Sequence, residues 1–304
     1  MLAAVTGCVL ATLNNRTPYI DWRDGMYVPP GENLYPLLFD ASWMGDLTAY
    51  DDTQDASPDI WSGRVNKHPY DIITEHFPKQ HRDPFLYRKL SIDLVKPDPE
   101  PNVAVFWSYL PKLKRLAGRM AMHSAFKGRA IDEVTSELLD RYFKPVEEVS
   151  SAVDAVFKQV TGPVIGVHIR FTDRKAPLPK IVSELEGLAN DNPNAAIFLA
   201  TDSGEAQDAI QSRFPNVITI DKAIARDGTA LHFASEGFDD PVVEARNALI
   251  DMMALARCDW LLHSSHSTFS VTAALIGRIA KERQIDVDRF NLKVQLKSFV
   301  QART

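Results

Sequence analysis

The sequence predicts an α/β protein of two domains, and three features carry that expectation. The second half alternates short apolar runs with helical stretches at the spacing of βαβ units, which implies a parallel sheet covered on both faces. Its runs are continuously apolar, as in residues 163–169 (PVIGVHI) and 195–200 (AAIFLA), the pattern of strands buried on both sides. The chain has 304 residues, about twice a usual domain of roughly 150, so the expected division is 1–150 and 151–304.

Taken in order, residues 1–13 (MLAAVTGCVLATL) are nearly all apolar or small and read as a buried helix. Val5-Thr6-Gly7-Cys8 imitates a lipoprotein cleavage box. A signal peptide, however, has a positive start and a longer apolar core, and no Lys or Arg precedes Arg16. Residues 17–21 (TPYID) read as a buried strand and 103–109 (VAVFWSY) as another, followed by a basic helix over 111–121. Between those strands, 46–101 is too polar and proline-punctuated for regular structure throughout. Residues 129–160 read as helical with a break at Pro145, where the domain junction is expected. Thirteen of the 19 prolines and four of the five tryptophans fall in 1–150, which suggests a loop-rich half with aromatic surfaces suited to sugar; core packing is the alternative for any one Trp. In the second half, strands are expected at 163–169, 195–200, 217–220 and 260–263, and helices at 180–188, 203–213, 241–256 and 268–282.

Composition excludes several functions. Lys and Arg number 34 against 40 Asp and Glu, a net of −6, so phosphate-neutralising binding of nucleic acid is not expected. No run reaches the roughly 18–20 apolar residues of a membrane span. Cys8 and Cys258 cannot make a disulfide framework, and a reducing, cytoplasmic setting is expected. There is no GxxxxGK[ST], GxGxxG or GxSxG pattern, which argues against a P-loop NTPase, a typical NAD enzyme and an α/β-hydrolase.

In an open α/β sheet the ligand sits outside the carboxyl ends of the strands. Three expected strand ends carry polar groups: His168, Arg170, Thr172, Asp173 and Arg174; then Thr201, Asp202 and Ser203; then Ser264, Ser265, His266 and Ser267 at a helix start. An Arg holds phosphate bidentately, hydroxyls at a helix N-terminus offer oriented donors beside a partial positive charge, and Asp202 can accept from ribose or a purine edge. Each group also has a plainer role: Ser264–Ser267 as a helix cap, Asp202 as a cap of its own helix, Arg170 with Asp173 as an ion pair, and His168 as a structural histidine. Asp286-Val287-Asp288 matches a metal-holding DxD, but is expected after a helix and so as an exposed helix end; no metal site is expected.

The segments IGVHIRFTDRK (165–175), FLATDS (198–203) and ALIDMMALARCDWLLHSSHSTFS (248–270) resemble the three signature regions of the α-1,6/α-1,2/protein O-fucosyltransferase superfamily. RTPYIDWR (16–23) is similar to its nodulation protein Z branch, the chitooligosaccharide α-1,6-fucosyltransferases. The resemblance implies a GT-B fold, two Rossmann-like domains facing a cleft: 1–150 on the acceptor side and 151–304 holding the nucleotide sugar. It implies inverting, metal-independent transfer with GDP-fucose as donor substrate, a glycan acceptor and no cofactor. Position by position it makes Arg170 the clamp on the leaving β-phosphate, places His168 and Asp202 in the nucleoside pocket with Asp251 and Ser267 completing the donor site, and puts Asp173, the catalytic candidate, by the loop after the first strand. Thr172, Arg174, Ser203 and Ser265, polar groups at the same strand ends, join the expected donor-binding set. The chain departs from the pattern in two ways. It begins where the helix after the first strand is expected, so either its start is misassigned or trimmed or the N-terminal domain lacks that strand and part of its phosphate cradle, and Phe171 and Leu178 stand where some relatives have a second Arg and a proposed base. The alternatives are a GT-B-shaped protein that binds a sugar nucleotide without transfer, and a transferase using another nucleotide sugar.

Overall fold

The computed structural model describes residues 1–23, 27–79, 85–170, 177–222, 224 and 240–289. The chain divides into two compact units, one running Met1–Lys144 and the other beginning at Pro145. Among the described residues the first unit contains α1 (Leu2–Leu13), α2 (Tyr35–Leu38), β1 (Ala56–Ser57), α3 (Pro69–His76), α4 (Leu86–Lys89), β2 (Val103–Ala104), α5 (Leu113–Met122) and α6 (Ile131–Tyr142). The expected helix at the start is α1, which buries Val5, Cys8, Val9 and Leu10.

The first unit makes little use of backbone ladders. The run 17–21 forms no strand, because side chains take its backbone groups. The Ile20 N–H reaches Met44 Sδ (3.2 Å), the Trp22 N–H reaches Asn33 Oδ1 (3.0 Å), and Asn33 Nδ2 donates back to the Ile20 carbonyl (2.9 Å). Of the run 103–109 only Val103–Ala104 pairs, parallel to Ala56–Ser57. Beyond it Ser91 captures the chain: its hydroxyl accepts the Trp107 N–H (2.9 Å) and donates to the Trp107 carbonyl (2.6 Å). Arg16 pairs with Asp98 and donates to the carbonyls of Pro99, Pro101 and Asn102, tying the end of α1 to the amino end of β2. Three of the four tryptophans follow the core alternative. Trp22 and Trp43 join Tyr35, Phe39, Tyr142 and Phe143 in edge-on contacts, and Trp61 is buried with Nε1 donating to the Leu90 carbonyl (2.8 Å).

The second unit follows its strand pattern. After α7 (Glu147–Phe157) come β3 (Val164–Ile169), α8 (Leu178–Asp191), β4 (Ala196–Thr201), α9 (Gly204–Gln211), β5 (Val217–Ile218), α10 (Pro241–Ala256), β6 (Trp260–His263), α11 (Thr268–Ile276) and β7 (Gln284–Asp286). The five strands are parallel in the order β5-β4-β3-β6-β7. Ile165, Val167, Ile169, Ile197 and Leu199 pack on one face with Ile181 and Leu185 of α8. Val164, Phe198 and Ala200 pack on the other with Ala254 and Leu255 of α10. Burial on both faces explains the unbroken apolar runs.

The helix expected over 268–282 stops at Ile276, and the strand β7 that follows was not expected. Position 277, at the end of α11, is glycine because a Cβ there would lie 2.0 Å from the Ala256 carbonyl oxygen, and the backbone leaves the helix at Arg278 (φ 48°). From β3 the chain moves outward to β4 and β5, then crosses to β6 and β7 on the other side. The topological switch point therefore lies between β3 and β6, where α/β sheets bind ligands.

Candidate functional site

The polar ends of β3, β4 and β6 lie side by side at one edge of the sheet. β3 pairs with β4 from Val164↔Ala196 to Ile169↔Thr201, so His168 and Arg170 stand beside Thr201 and Asp202. On its other side β3 pairs with β6, which ends at His263 and leads into the serine turn. The His168 ring stacks on Phe269 in the first turn of α11 (centroids 5.0 Å apart, planes 21° apart), which fixes the start of α11 over the end of β3.

His168 is half-buried and Arg170 exposed. Burial above all, then the charges of His263, Lys222 and Arg170, push the His168 pKa down to about 3. The ring is therefore neutral at physiological pH and can hydrogen-bond without adding charge. His263 is buried, lies 3.1 Å from Ser270 Oγ through Nδ1, and is lowered to about 4 by burial, with Asp286 and Gln284 opposing.

Ser203 and Ser267 occupy matching places. Ser203 caps α9, its hydroxyl accepting the Ala206 N–H at 3.4 Å, so the capping role expected for Asp202 falls to its neighbour. Asp202 is half-buried at the same turn. Ser267 stands at the N-cap of α11, but its hydroxyl makes no cap bond; it is buried and has no hydrogen-bond partner. Only one other buried side-chain polar atom among the described residues shares that state, Oδ1 of Asp251 on α10. Asp251 Oδ2 is held by Lys222 Nζ. Burial raises the Asp251 pKa, with Lys222 opposing. Lys222 lies in the loop after β5, where no spacing rule marks it, and sequence reasoning missed it.

Asp286-Val287-Asp288 sits at the end of β7, not after a helix, and it braces the serine turn. Asp286 Oδ1 accepts the Ser265 N–H (3.1 Å) and the Asp288 N–H (2.9 Å), and Asp288 Oδ2 accepts from the Ser264 hydroxyl. Burial pushes the Asp286 carboxyl up, but the bonds from Ser265 and Asp288 outweigh it and hold the carboxyl below its usual range. Among the described residues no group of three or more His, Cys, Asp or Glu is placed to hold a metal ion. Ser265 is exposed at the tip of the turn. Thr172, Asp173 and Arg174 lie outside the described residues.

The arrangement offers a cation, a helix N-terminus whose first amides have no intrahelical acceptor, an idle hydroxyl and two carboxylates at one sheet edge. That set suits a nucleotide's phosphates, ribose and base.

The sequence matches the family model described as nodulation protein Z (NodZ) over residues 124–298, more than half of the chain. It is 24% identical over 302 residues to the nodulation protein Z of Sinorhizobium fredii (strain NBRC 101917 / NGR234), covering 90% of this chain and 84% of that one. Its structure is similar to that of NodZ α-1,6-fucosyltransferase soaked with GDP-fucose (TM-score 0.55, 21% identity, 90% of this chain and 86% of that one). It is similar also to the fucosyltransferase NodZ from Bradyrhizobium (TM-score 0.55, 21% identity, 90% and 87%). At these identities the structural likeness shows the fold, the GT-B type.

Proposed function

This chain belongs to the nodulation protein Z family, and from that premise we propose that it is an inverting glycosyltransferase moving fucose from GDP-fucose to a glycan acceptor, in α-1,6 linkage to a chitooligosaccharide-like GlcNAc. The observation that carries the donor assignment is the Ser267 hydroxyl, buried and unpartnered at the N-terminus of α11 beside the switch point. A buried hydroxyl without a partner costs about 1–3 kcal/mol, and a phosphate oxygen there would relieve it.

In the reaction the acceptor hydroxyl attacks the anomeric carbon of fucose, the bond from that carbon to the β-phosphate oxygen breaks, and the hydroxyl proton passes to a base. GDP leaves with the electron pair. Arg170 clamps the β-phosphate with its planar fork, and the first amides of α11 with Ser267 share the developing charge. Neutral His168 donates or accepts a bond at the nucleotide without repelling the cations. Asp202 accepts from ribose hydroxyls. Asp251 Oδ1, held in place through Lys222, accepts from the purine edge. Asp173 is our candidate base, with Thr172 and Arg174 beside the phosphates and Ser265 at the rim. The first unit takes the acceptor, the second the donor. No resident cofactor enters this scheme, because side-chain cations and helix amides do the electrostatic work. Cys8 and Cys258 are free thiols, in keeping with a reducing, cytoplasmic site of action. Among the described residues no helix is long and apolar enough to cross a membrane.

A thermal-shift panel with GDP, UDP, ADP and CMP tests the donor. A ligand at about 100 times its Kd adds about 2.7 kcal/mol, a shift of several degrees for a chain of this size. A shift with GDP, followed by fucose transfer from GDP-fucose to chitotetraose, is the expected result. A GDP shift with no transfer to any glycan would reduce the protein to a sugar-nucleotide binder. A shift with another nucleotide alone would change the donor.

A further inference from the structure

Outside the donor edge, the carboxyl end of β1 and β2 carries a second concentration of chemistry. The ends of this small sheet are set by α1. Arg16, beyond the last turn of α1, reaches the carbonyls of Pro101 and Asn102 just before β2. Thr6, in the first half of α1, accepts the Lys112 N–H at 3.0 Å, well past β2. The segment between Val105 and Lys112 therefore emerges at the carboxyl edge, the ligand-bearing edge of parallel sheets. The cavity of about 350 Å³ lined by Thr12, Arg16, Trp43 and Arg141 lies instead by the last turn of α1, toward the amino end.

Three aromatic rings meet at the carboxyl edge. The Tyr87 and Trp107 centroids are 5.2 Å apart, Trp107 and Tyr109 5.0 Å, and Tyr87 and Tyr109 5.5 Å, with planes 61°, 63° and 87° apart. The cluster is rigidly backed. Trp107 packs on the apolar group of Trp61, Leu86 and Leu90, and Ser91 holds its backbone by both N–H and carbonyl. Tyr109 nevertheless leaves 65% of its surface in solvent.

We propose that Tyr87, Trp107 and Tyr109 form an acceptor subsite, a platform on which one pyranose ring of the glycan stacks its C–H face against Tyr109 while its hydroxyls reach the polar rim. A fixed aromatic surface edged by the phenol hydroxyls of Tyr87 and Tyr109 matches a sugar, apolar on its faces and polar around its edge. Size favours the same occupant. Three rings of about 150–250 Å² each fall short of the roughly 1,000 Å² of a stable protein interface, but cover one or two sugars. This inference rests on the glycosyltransferase reading and adds to it the residues that grip the acceptor.

The test is titration calorimetry of the full chain with chitotetraose, maltotetraose and mannotetraose, and with GDP as an independent control of the donor site. The unaltered chain is expected to bind one of the oligosaccharides without GDP. Tyr109→Ala, at an exposed position, should weaken that binding about three- to tenfold and raise the acceptor KM alike, while GDP affinity and the KM for GDP-fucose stay unchanged. Trp107→Phe, which keeps a ring in the core, should weaken it less. Equal saccharide affinity in Tyr109→Ala and the unaltered chain would overturn the proposal. So would GDP binding by a chain that takes none of the oligosaccharides, and that result would leave the donor assignment standing. Loss of GDP binding by the unaltered chain would overturn the donor reading and this inference together.

Discussion

The turns after β4 and β6 each place a serine at the N-cap of the next helix, yet only one of the two hydroxyls is used. Ser203 spends its oxygen on the Ala206 N–H and closes the start of α9. Ser267 leaves its oxygen buried and idle while α11 keeps its first amides open. The far ends differ too: α9 runs out at Ser212, whereas α11 stops at Gly277 against the Ala256 carbonyl. One turn is finished by its own side chain. The other belongs to a helix packed closely at its far end and keeps its hydroxyl without a partner.

The largest effect should come from the seating of α11. Gly277→Ala places a methyl 2.0 Å from a backbone oxygen that cannot retreat, and should cost about 3 kcal/mol or more of stability in urea unfolding. A variant as stable as the parent would show that α11 is free to shift. Next, Arg170 lies between the two turns. Arg170→Lys keeps the charge and loses the fork, so kcat should fall about a hundredfold with little change in Tm. Transfer at the parental rate would remove Arg170 from the leaving group.

The two histidines beneath the α11 turn predict a pH effect of intermediate size. Their folded pKa values, about 3 for His168 and about 4 for His263, lie below the usual 6.5. Between these limits the unfolded chain binds more protons, so stability is complete above about pH 6.5 and falls as pH drops toward the folded values. By pH 5 the two rings together should cost roughly 2–4 kcal/mol. A Tm that stays level from pH 7 to pH 5 would mean that the rings are hydrated.

The smallest effects separate the two serines directly. Ser203→Ala should lose about 1 kcal/mol of stability, the worth of a cap. Ser267→Ala should leave stability level or slightly higher and weaken GDP about five- to tenfold, because its hydroxyl stabilises nothing until ligand arrives. Equal losses of stability in the two variants would erase the distinction.

The same contrast explains what was readable beforehand. In the second unit, α10 and β6 fall on the expected residues and β3 and β4 within one residue, because strands buried on both faces must be apolar throughout. β7 was hidden: its three residues (QID) follow a helix whose end depends on a glycine meeting a carbonyl some twenty residues earlier. The first unit read poorly. The run 17–21 has the composition of a strand, but its partners are Asn33 and Met44 side chains rather than a neighbouring strand. Among candidate residues, the places of His168, Arg170, Asp202 and Ser267 at the ends of apolar strands were legible from the sequence. Lys222 was not, since only the folded chain brings it to Asp251.

By itself the sequence determined the α/β class, the polar carboxyl edge of the second unit's sheet and the kind of groups that line it. Those follow from local rules: the period of buried strands, and the polar residues that come directly after each one. Tertiary structure alone decided which groups are spent and which are held ready. Whether a carboxylate finds an ammonium or an aromatic ring meets two others depends on residues well separated in the chain, as with Asp251 and Lys222 or Tyr87 and Trp107. Even the short-range choice of whether a serine caps its helix depends on how side chains compete for the same backbone groups in the folded chain.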